Sequence, residues 1–337
     1  MMDEGTPMLW CGRKAFRLRS AGYEAILVPS LGANVISLKA VCGDHMLDIL
    51  RTPPNDETLL KDPYAYGIPV LFPANRVAKG CYEWDGVKYQ FPQNYPNGVH
   101  IHGVLHNREW PVEAYGAEEG RSYIRLSLDT EKDAELWSHF PVPMAIRLEV
   151  SVDADGLRHR FTVENHSREK EIPVGLAYHT AFRVSFCGGS QNVTLHVPLE
   201  GRCTDDPTDR LPNGLTAPLS AFERRIASAE GGHPLDEAVD ALYTGIPGAS
   251  DMVMRDRASG CEVVYRAGPE NHYWILWNQT ASEDFIAVEP QTWLSNAMHF
   301  PRPQEQGAVI VSPGESWSGE CRILARLVKE GYCGEYH

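Results

Sequence analysis

The sequence predicts an all-β protein, one large antiparallel sandwich with few short helices. Three observations carry that expectation. Residues 144–164 alternate apolar Ile146, Leu148, Val150 and Val152 with Arg147, Glu149 and Ser151, then turn at Asp155-Gly156 and return through Leu157, His159, Phe161 and Val163. That is the pattern of a hairpin with one half-buried face. Further short strand-like runs are separated by turn clusters, and the 24 prolines and 29 glycines are spread along the 337 residues rather than gathered at a boundary. No long stretch repeats an apolar residue every 3.6 positions, and no strand alternates with a helix as a βαβ sheet requires.

Taken in chain order, the first hairpin is centred on Asp85-Gly86, with Tyr82 and Trp84 entering and Val87, Tyr89 and Phe91 leaving. Strands are expected at 123–128, 193–197, 261–266, 273–277, 285–288 and 321–328, besides the hairpin at 144–164. There is no internal repeat, low-complexity tract or linker, so residues 1–337 are expected to form a single domain.

Charge and composition exclude several classes. Lys and Arg number 31 against 45 Asp and Glu, a net charge of −14. With no basic run longer than a pair, neither nucleic acid nor an anionic membrane is an expected partner. Residues 1–20 lack the continuous apolar stretch of a secretion signal, and no run approaches the roughly 20 residues needed to span a bilayer. The eight cysteines, from Cys11 to Cys333, include no CxxC pair. They read as reduced thiols, and the expected location is the cytoplasm. The oligomeric state, monomer or dimer, is not read from the sequence.

The chain has no GxxxxGK[ST] loop, no GxGxxG opening a helix, no HExxH and no GxSxG. Four short stretches stand out instead. In 72–80, Asn75 and Arg76 bring an amide and a guanidinium suited to an oxygen-rich ligand, or else form an ordinary Asn turn with a surface arginine. In 97–103, strand alternation would put His100 and His102 on one face. They are then either a metal-binding pair or one functional and one supporting imidazole. The glutamate a cupin-like metal site needs soon after is missing, with Leu105 and His106 in its place. In 174–182, His179 ends an apolar run and is either a core histidine or an acid–base group. In 284–293, Glu289 shares a strand face with Phe285 and Ala287. Burial there would raise its pKa towards that of a useful general base, and Pro290 is expected to stop the ladder so that the carboxylate sits at a rim. The alternative is a solvent-facing edge glutamate.

In this order the stretches resemble the aldose 1-epimerase (galactose mutarotase) family. The carrying residues are Asn75-Arg76 followed by Gly80, Ile101-His102-Gly103 leading to Trp110, and His179-Thr180-Ala181-Phe182. After them come Pro212-Asn213-Gly214, Asp240 shortly before Tyr243, and Glu289-Pro290-Gln291-Thr292 followed by Asn296-Ala297. The resemblance runs from about residue 20 to about 328. Val104 stands where the family has a second glycine, and Thr180 where it has a proline.

The resemblance implies a β-supersandwich with an open sugar cleft, no cofactor and no metal. It implies catalysis by Glu289 as base and His179 as acid, with Arg76, Asn75, His102 and Asp240 on the sugar. Asp236 competes with Asp240 for its role. Trp84, Tyr178 and Trp293 are candidate platforms for a pyranose face. The implied reaction interconverts the α and β anomers of an aldohexose. Rivals are a hexose-6-phosphate 1-epimerase, for which Arg108, Arg183 and Lys79 are available cations, and a non-catalytic carbohydrate-binding protein. A metal-dependent sandwich enzyme using His100 and His102 is the third.

Overall fold

The alternation at 144–164 folds into the expected hairpin. Met144–Asp153 pairs antiparallel with Gly156–Asn165 over ten residue pairs, from Met144 opposite Asn165 to Asp153 opposite Gly156. The turn lies one residue earlier than expected, at Ala154 and Asp155. Gly156 itself takes φ 100°, a conformation that favours glycine, and a Cβ there would stand 2.2 Å from the Ile323 carbonyl oxygen of the next strand. The Asp85-Gly86 hairpin is as read: both turn residues have positive φ and Trp84 pairs Val87 across it.

The computed structural model describes residues 4–328. Met1–Asp3 and residues 329–337, with Cys333, lie outside the described residues. The 144–164 hairpin is the centre of an eight-stranded antiparallel sheet. Its order is Val112–Glu118, Arg121–Asp129, Met144–Asp153, Gly156–Asn165, Ser316–Leu327, Cys261–Ala267, Asp251–Asp256 and Val193–His196. The expected strands at 123–128, 193–197, 261–266 and 321–328 all fall in it. A second large sheet runs Pro212–Ala217, Leu199–Asp205, Asp240–Gly245, Tyr273–Trp277, Phe285–Gln291, Ala177–Tyr178 and Val70–Leu71, with Thr180–Arg183 also on Phe285–Gln291. A third, five-stranded sheet covers Glu4 to Asp48.

The two large sheets pack face to face through the continuous main core. Phe182 meets Tyr265 at 5.4 Å between ring centroids, His159 meets Tyr178 at 4.8 Å, and the Tyr178 hydroxyl donates to the Gly319 carbonyl. The three α-helices among the described residues have six or seven residues, each capped by the side chain before it: Asn55, Asp133 and Ser220. None is long and apolar enough to cross a membrane.

Candidate active site

The second sheet carries half of the site, and its register places those side chains. Phe285–Gln291 pairs with Tyr273–Trp277 so that Glu289 stands opposite Ile275 and Ala287 opposite Trp277. The next strand adds Leu242 beside Ile275 and Asp240 beside Trp277. On the other side, Thr180 pairs Val288 and Ala177 pairs Gln291. These two pairings share one register, which puts His179 opposite Glu289. Two rows therefore cross one sheet face: Leu242, Ile275, Glu289 and His179, then Asp240, Trp277 and Ala287. His179 Nε2 comes to 3.1 Å from Glu289 Oε1.

Pro290 does not end its strand. It pairs Trp274 on one side, and the ladder is interrupted on the other, next to Tyr178 and His179. The His179 N–H donates instead to the Pro69 carbonyl at 2.9 Å. A residue without an N–H is tolerated where no partner asks for one. Glu289 therefore sits inside a central strand, 1% exposed, rather than at a rim.

The other half comes from two tight segments. Arg76–Val77 pairs with His100–Ile101, and the His102 N–H donates to the Asn75 carbonyl at 2.8 Å. Asn75, at φ 56°, accepts from Arg76 Nη1 at 3.2 Å and from the Ser295 hydroxyl at 3.3 Å, and its amide reaches Gln291 Oε1 at 3.5 Å. That last contact ties it to the strand carrying Glu289. Arg76 also lies over the Tyr95 ring, 4.9 Å from its centroid, and donates to its hydroxyl at 3.4 Å. Asn296 holds the same turn: its N–H donates to the Arg76 carbonyl and its Oδ1 accepts from the Ala78 N–H.

His100 and His102 do not share a face. The strand stops at Ile101, and His102 takes φ 69°, which breaks the alternation. The His100 ring stacks on Phe91 and its Nδ1 donates to the Pro92 carbonyl at 2.7 Å, whereas His102 lines the cleft. Among the described residues no group of three or more His, Cys, Asp or Glu is placed to hold a metal ion.

The cleft has a volume of about 250 Å³, suited to one small polar molecule. Glu289, His179, Arg76, Asn75, His102 and Asp240 all line it. Burial holds the Glu289 carboxyl well above the usual carboxylate range, the Asp240 charge adds to the rise and Arg76 opposes it. Burial pushes His179 down to about 3 and drives His102 well below 6.5, the latter helped by His179 and Arg76. Glu289 Oε2, His179 Nδ1, His102 Nδ1 and Arg76 Nε are buried with no hydrogen-bond partner among the described residues. Unpaired buried polar atoms are costly. All four belong to residues that line the cleft, and they make it a polar site.

The sequence profile of the aldose 1-epimerase family matches residues 14–324. The chain belongs to that family. A galactose mutarotase-like protein of Clostridium acetobutylicum is similar over 96% of this chain and 98% of its own, with TM-score 0.87 and 27% identity. Galactose 1-epimerase from Lactobacillus acidophilus NCFM has the same fold, with TM-score 0.69 over 96% and 99% of the two chains and 13% identity. An uncharacterized protein, YihR, of Escherichia coli K12 is 33% identical over 104 residues. That match spans 30% of this chain and about a third, 31%, of the relative's length.

Within this aldose 1-epimerase fold, several lining residues are not among those the sequence predicts. Trp277, Tyr64 and Tyr95 supply the aromatic surface. Of the expected platforms, Tyr178 and Trp293 are buried in the core, and Trp84 donates its indole N–H to Glu171. Strand alternation from Glu289 and one register step would have pointed to Trp277. Nothing local marks Tyr64 or Tyr95. Asp240 borders the cleft, paired with Arg210 at 3.5 Å, while Asp236 pairs with Arg225 away from it. The cations in the cleft are Arg76, Arg202 and Arg210, not Arg108, Arg183 or Lys79. Arg108 is spent on Asp133, and Arg183 on Asp48 and Asp284.

Proposed function

We propose that the protein is a mutarotase that interconverts the α and β anomers of an aldohexose. The observation that carries the reading is the buried Glu289–His179 pair, 3.1 Å apart in a cleft of monosaccharide size. Opening a cyclic hemiacetal moves two protons. The anomeric hydroxyl gives its proton to Glu289 as the C1–O5 bond breaks, C1 becomes an aldehyde carbon, and the ring oxygen takes a proton from His179. Rotation about the C1–C2 bond presents the other aldehyde face. Closure then reverses both transfers and returns the pair to its starting state.

The pair carries one transferable proton throughout. On opening, it passes from carboxylate and imidazolium to carboxylic acid and neutral imidazole. Burial disfavours both charged forms, so the site favours the protonation state of the ring-opened complex. Arg76 and His102 would donate to sugar oxygens as charge moves onto the ring oxygen. Asp240 would hold non-reacting hydroxyls, with Asn75 keeping Arg76 in place.

A neutral sugar suits the charge balance better than a phosphosugar. Arg202 and Arg210 are neutralised by Glu223, Asp205 and Asp240, leaving Arg76 without a carboxylate partner among the described residues.

The test is magnetisation exchange between the anomeric protons of glucose and galactose, with glucose 6-phosphate in parallel. Wild-type protein is expected to accelerate exchange on the free sugars, and Glu289→Gln to lose about 10²–10⁴-fold. Faster exchange on the phosphate ester would favour the hexose-6-phosphate reading. Sugar binding without exchange would favour a carbohydrate-binding protein. Exchange that survives in Glu289→Gln would overturn the assignment of the base.

A further inference from the structure

One wall of the cleft is built by a residue that belongs to neither large sheet. Tyr64 lies in the short Pro63–Ala65 turn that follows the Asn55-capped helix. Its ring packs against three imidazoles at once, with centroids 4.3 Å from His102, 5.1 Å from His106 and 5.5 Å from His179. His102 and His179 meet each other edge to face at 5.3 Å, with their rings 85° apart. The tyrosine is therefore wedged beside the two imidazoles that the mutarotase reading assigns to the sugar.

The Tyr64 hydroxyl is committed. It lies 3.0 Å from His106 Nε2, and His106 Nδ1 lies 3.2 Å from the His102 carbonyl oxygen. A carbonyl oxygen can only accept, so His106 Nδ1 carries the proton. Burial lowers the His106 pKa to about 4, which leaves the ring neutral at pH 7 and Nε2 as a lone pair. The tyrosine O–H must then donate to it. The chain has one direction: Tyr64 O–H to His106, and His106 N–H to the backbone of His102. His106 does not itself line the cleft, and this tether accounts for both of its nitrogens.

His102 needs such a support. It sits at a positive φ, and its Nδ1 is buried with no hydrogen-bond partner among the described residues. Packing, rather than a hydrogen bond on that nitrogen, has to aim the ring.

We infer that Tyr64 is a positioning residue for the proposed reaction: tethered through His106, its ring is a fixed spacer that holds His102 and His179 in their mutual pose. The inference rests on the mutarotase reading. Cutting the tether leaves the ring in place but free to rock about its side-chain torsions. An error near 1 Å in a reacting group can cost about 100-fold, so partial loosening should cost less.

The experiment measures kcat and KM for anomer exchange in five variants, together with imidazole nitrogen NMR of the free protein. Tyr64→Phe is expected to lower kcat about ten-fold with KM within two-fold. His106→Leu cuts the same tether and should match it. The double variant should lose no more than either single change, because one linkage is being removed twice. His106→Gln should retain most of the rate, since its amide can donate to the His102 carbonyl and accept from Tyr64. Tyr64→Leu, which removes the spacer, should fall below all of them. In the free wild-type protein His106 should be the Nδ1–H tautomer.

Three results would each overturn the role: a Tyr64→Phe kcat within two-fold of wild type, losses that multiply in the double variant, or an Nε2–H tautomer at His106. A wild type that exchanges no anomers would bring down the mutarotase reading and this role with it. The two failures are thus told apart by the wild-type rate.

Discussion

Glu289 is a carboxyl whose two neighbours of opposite charge pull its pKa in opposite directions. Burial raises it, Asp240 raises it further, and Arg76 lowers it. The pair must hold one proton to act, and with His179 lowered by burial that proton is lost as pH rises through the folded-state pKa of Glu289, so activity should be present below it and fall away above it. This alkaline limb of kcat/KM is expected above the ordinary 4.5 of a glutamate. Asp240→Asn removes a charge that raises the pKa and should move that limb to lower pH. Arg76→Gln removes one that lowers it and should move the limb up. A pH–rate series on both variants checks the pair, and equal or reversed shifts would contradict the assignment. Glu289, His179, Asn75, Arg76, His102 and Asp240 were all legible as residues. Their geometry was not: the alternation rule paired His100 with His102, and a single positive φ at His102 sends them to different places.

At the scale of the element, the segment behind His102 is fixed by a close backbone approach. Gly103 has φ 68°, and a Cβ there would stand 2.4 Å from the Phe72 carbonyl oxygen. Gly103→Ala should therefore destabilise the protein by at least about 2 kcal/mol and lower kcat, because the loop that aims His102 must move. Calorimetry alongside the exchange assay checks both. A contrasting change is Ser220→Ala. Ser220 and Glu223 form a capping box on the Ala221–Ala227 helix, outside the cleft. Its loss should cost about 1 kcal/mol with the exchange rate unchanged. That Ser-x-x-Glu signal was present in the sequence, as were both hairpins. The Asp155-Gly156 pair predicts a turn one residue later than the observed one, because Gly156 serves as the first residue of the returning strand, at positive φ and close against the neighbouring strand. The sequence predicts a strand end at Pro290, since a central-strand proline is tolerable only where the partner chain looks elsewhere. That depends on His179 reaching Pro69.

Across the whole molecule, acid stability should be governed by imidazoles sealed in the core. His159 is fully buried between the large sheets, neither ring nitrogen has a hydrogen-bond partner among the described residues, and burial lowers its pKa to about 3. His100 and His106, each lowered to about 4, act in the same direction. A group depressed in the folded state binds protons more readily when unfolded. Its contribution to stability is complete above about pH 6.5 and is lost as pH falls towards 3. For His159 alone the loss approaches the order of 4 kcal/mol at the acid end. His159→Phe should flatten the fall in unfolding free energy between pH 6.5 and 3. An unchanged slope in denaturant titrations would count against this account.

By itself the sequence determined eight strands of the two large sheets, six in the first and two in the second, and the chemical identity of the expected site residues. Both are written in local patterns, alternation in the strands and unusual polar residues at their ends. It could not determine which residues meet. His102, His179 and Glu289 are far apart in the chain, and they converge because strand register across the second sheet sets Glu289 opposite His179 while a separate pair of short strands brings up Arg76 and His102. Trp277 enters the cleft through pairing between distant strands, while Tyr64, Tyr95 and Arg210 reach it from turns and loops that only the packed fold brings together. The tertiary structure also decided the protonation preferences. They arise from burial, and burial is a property of the packed molecule rather than of any stretch of it.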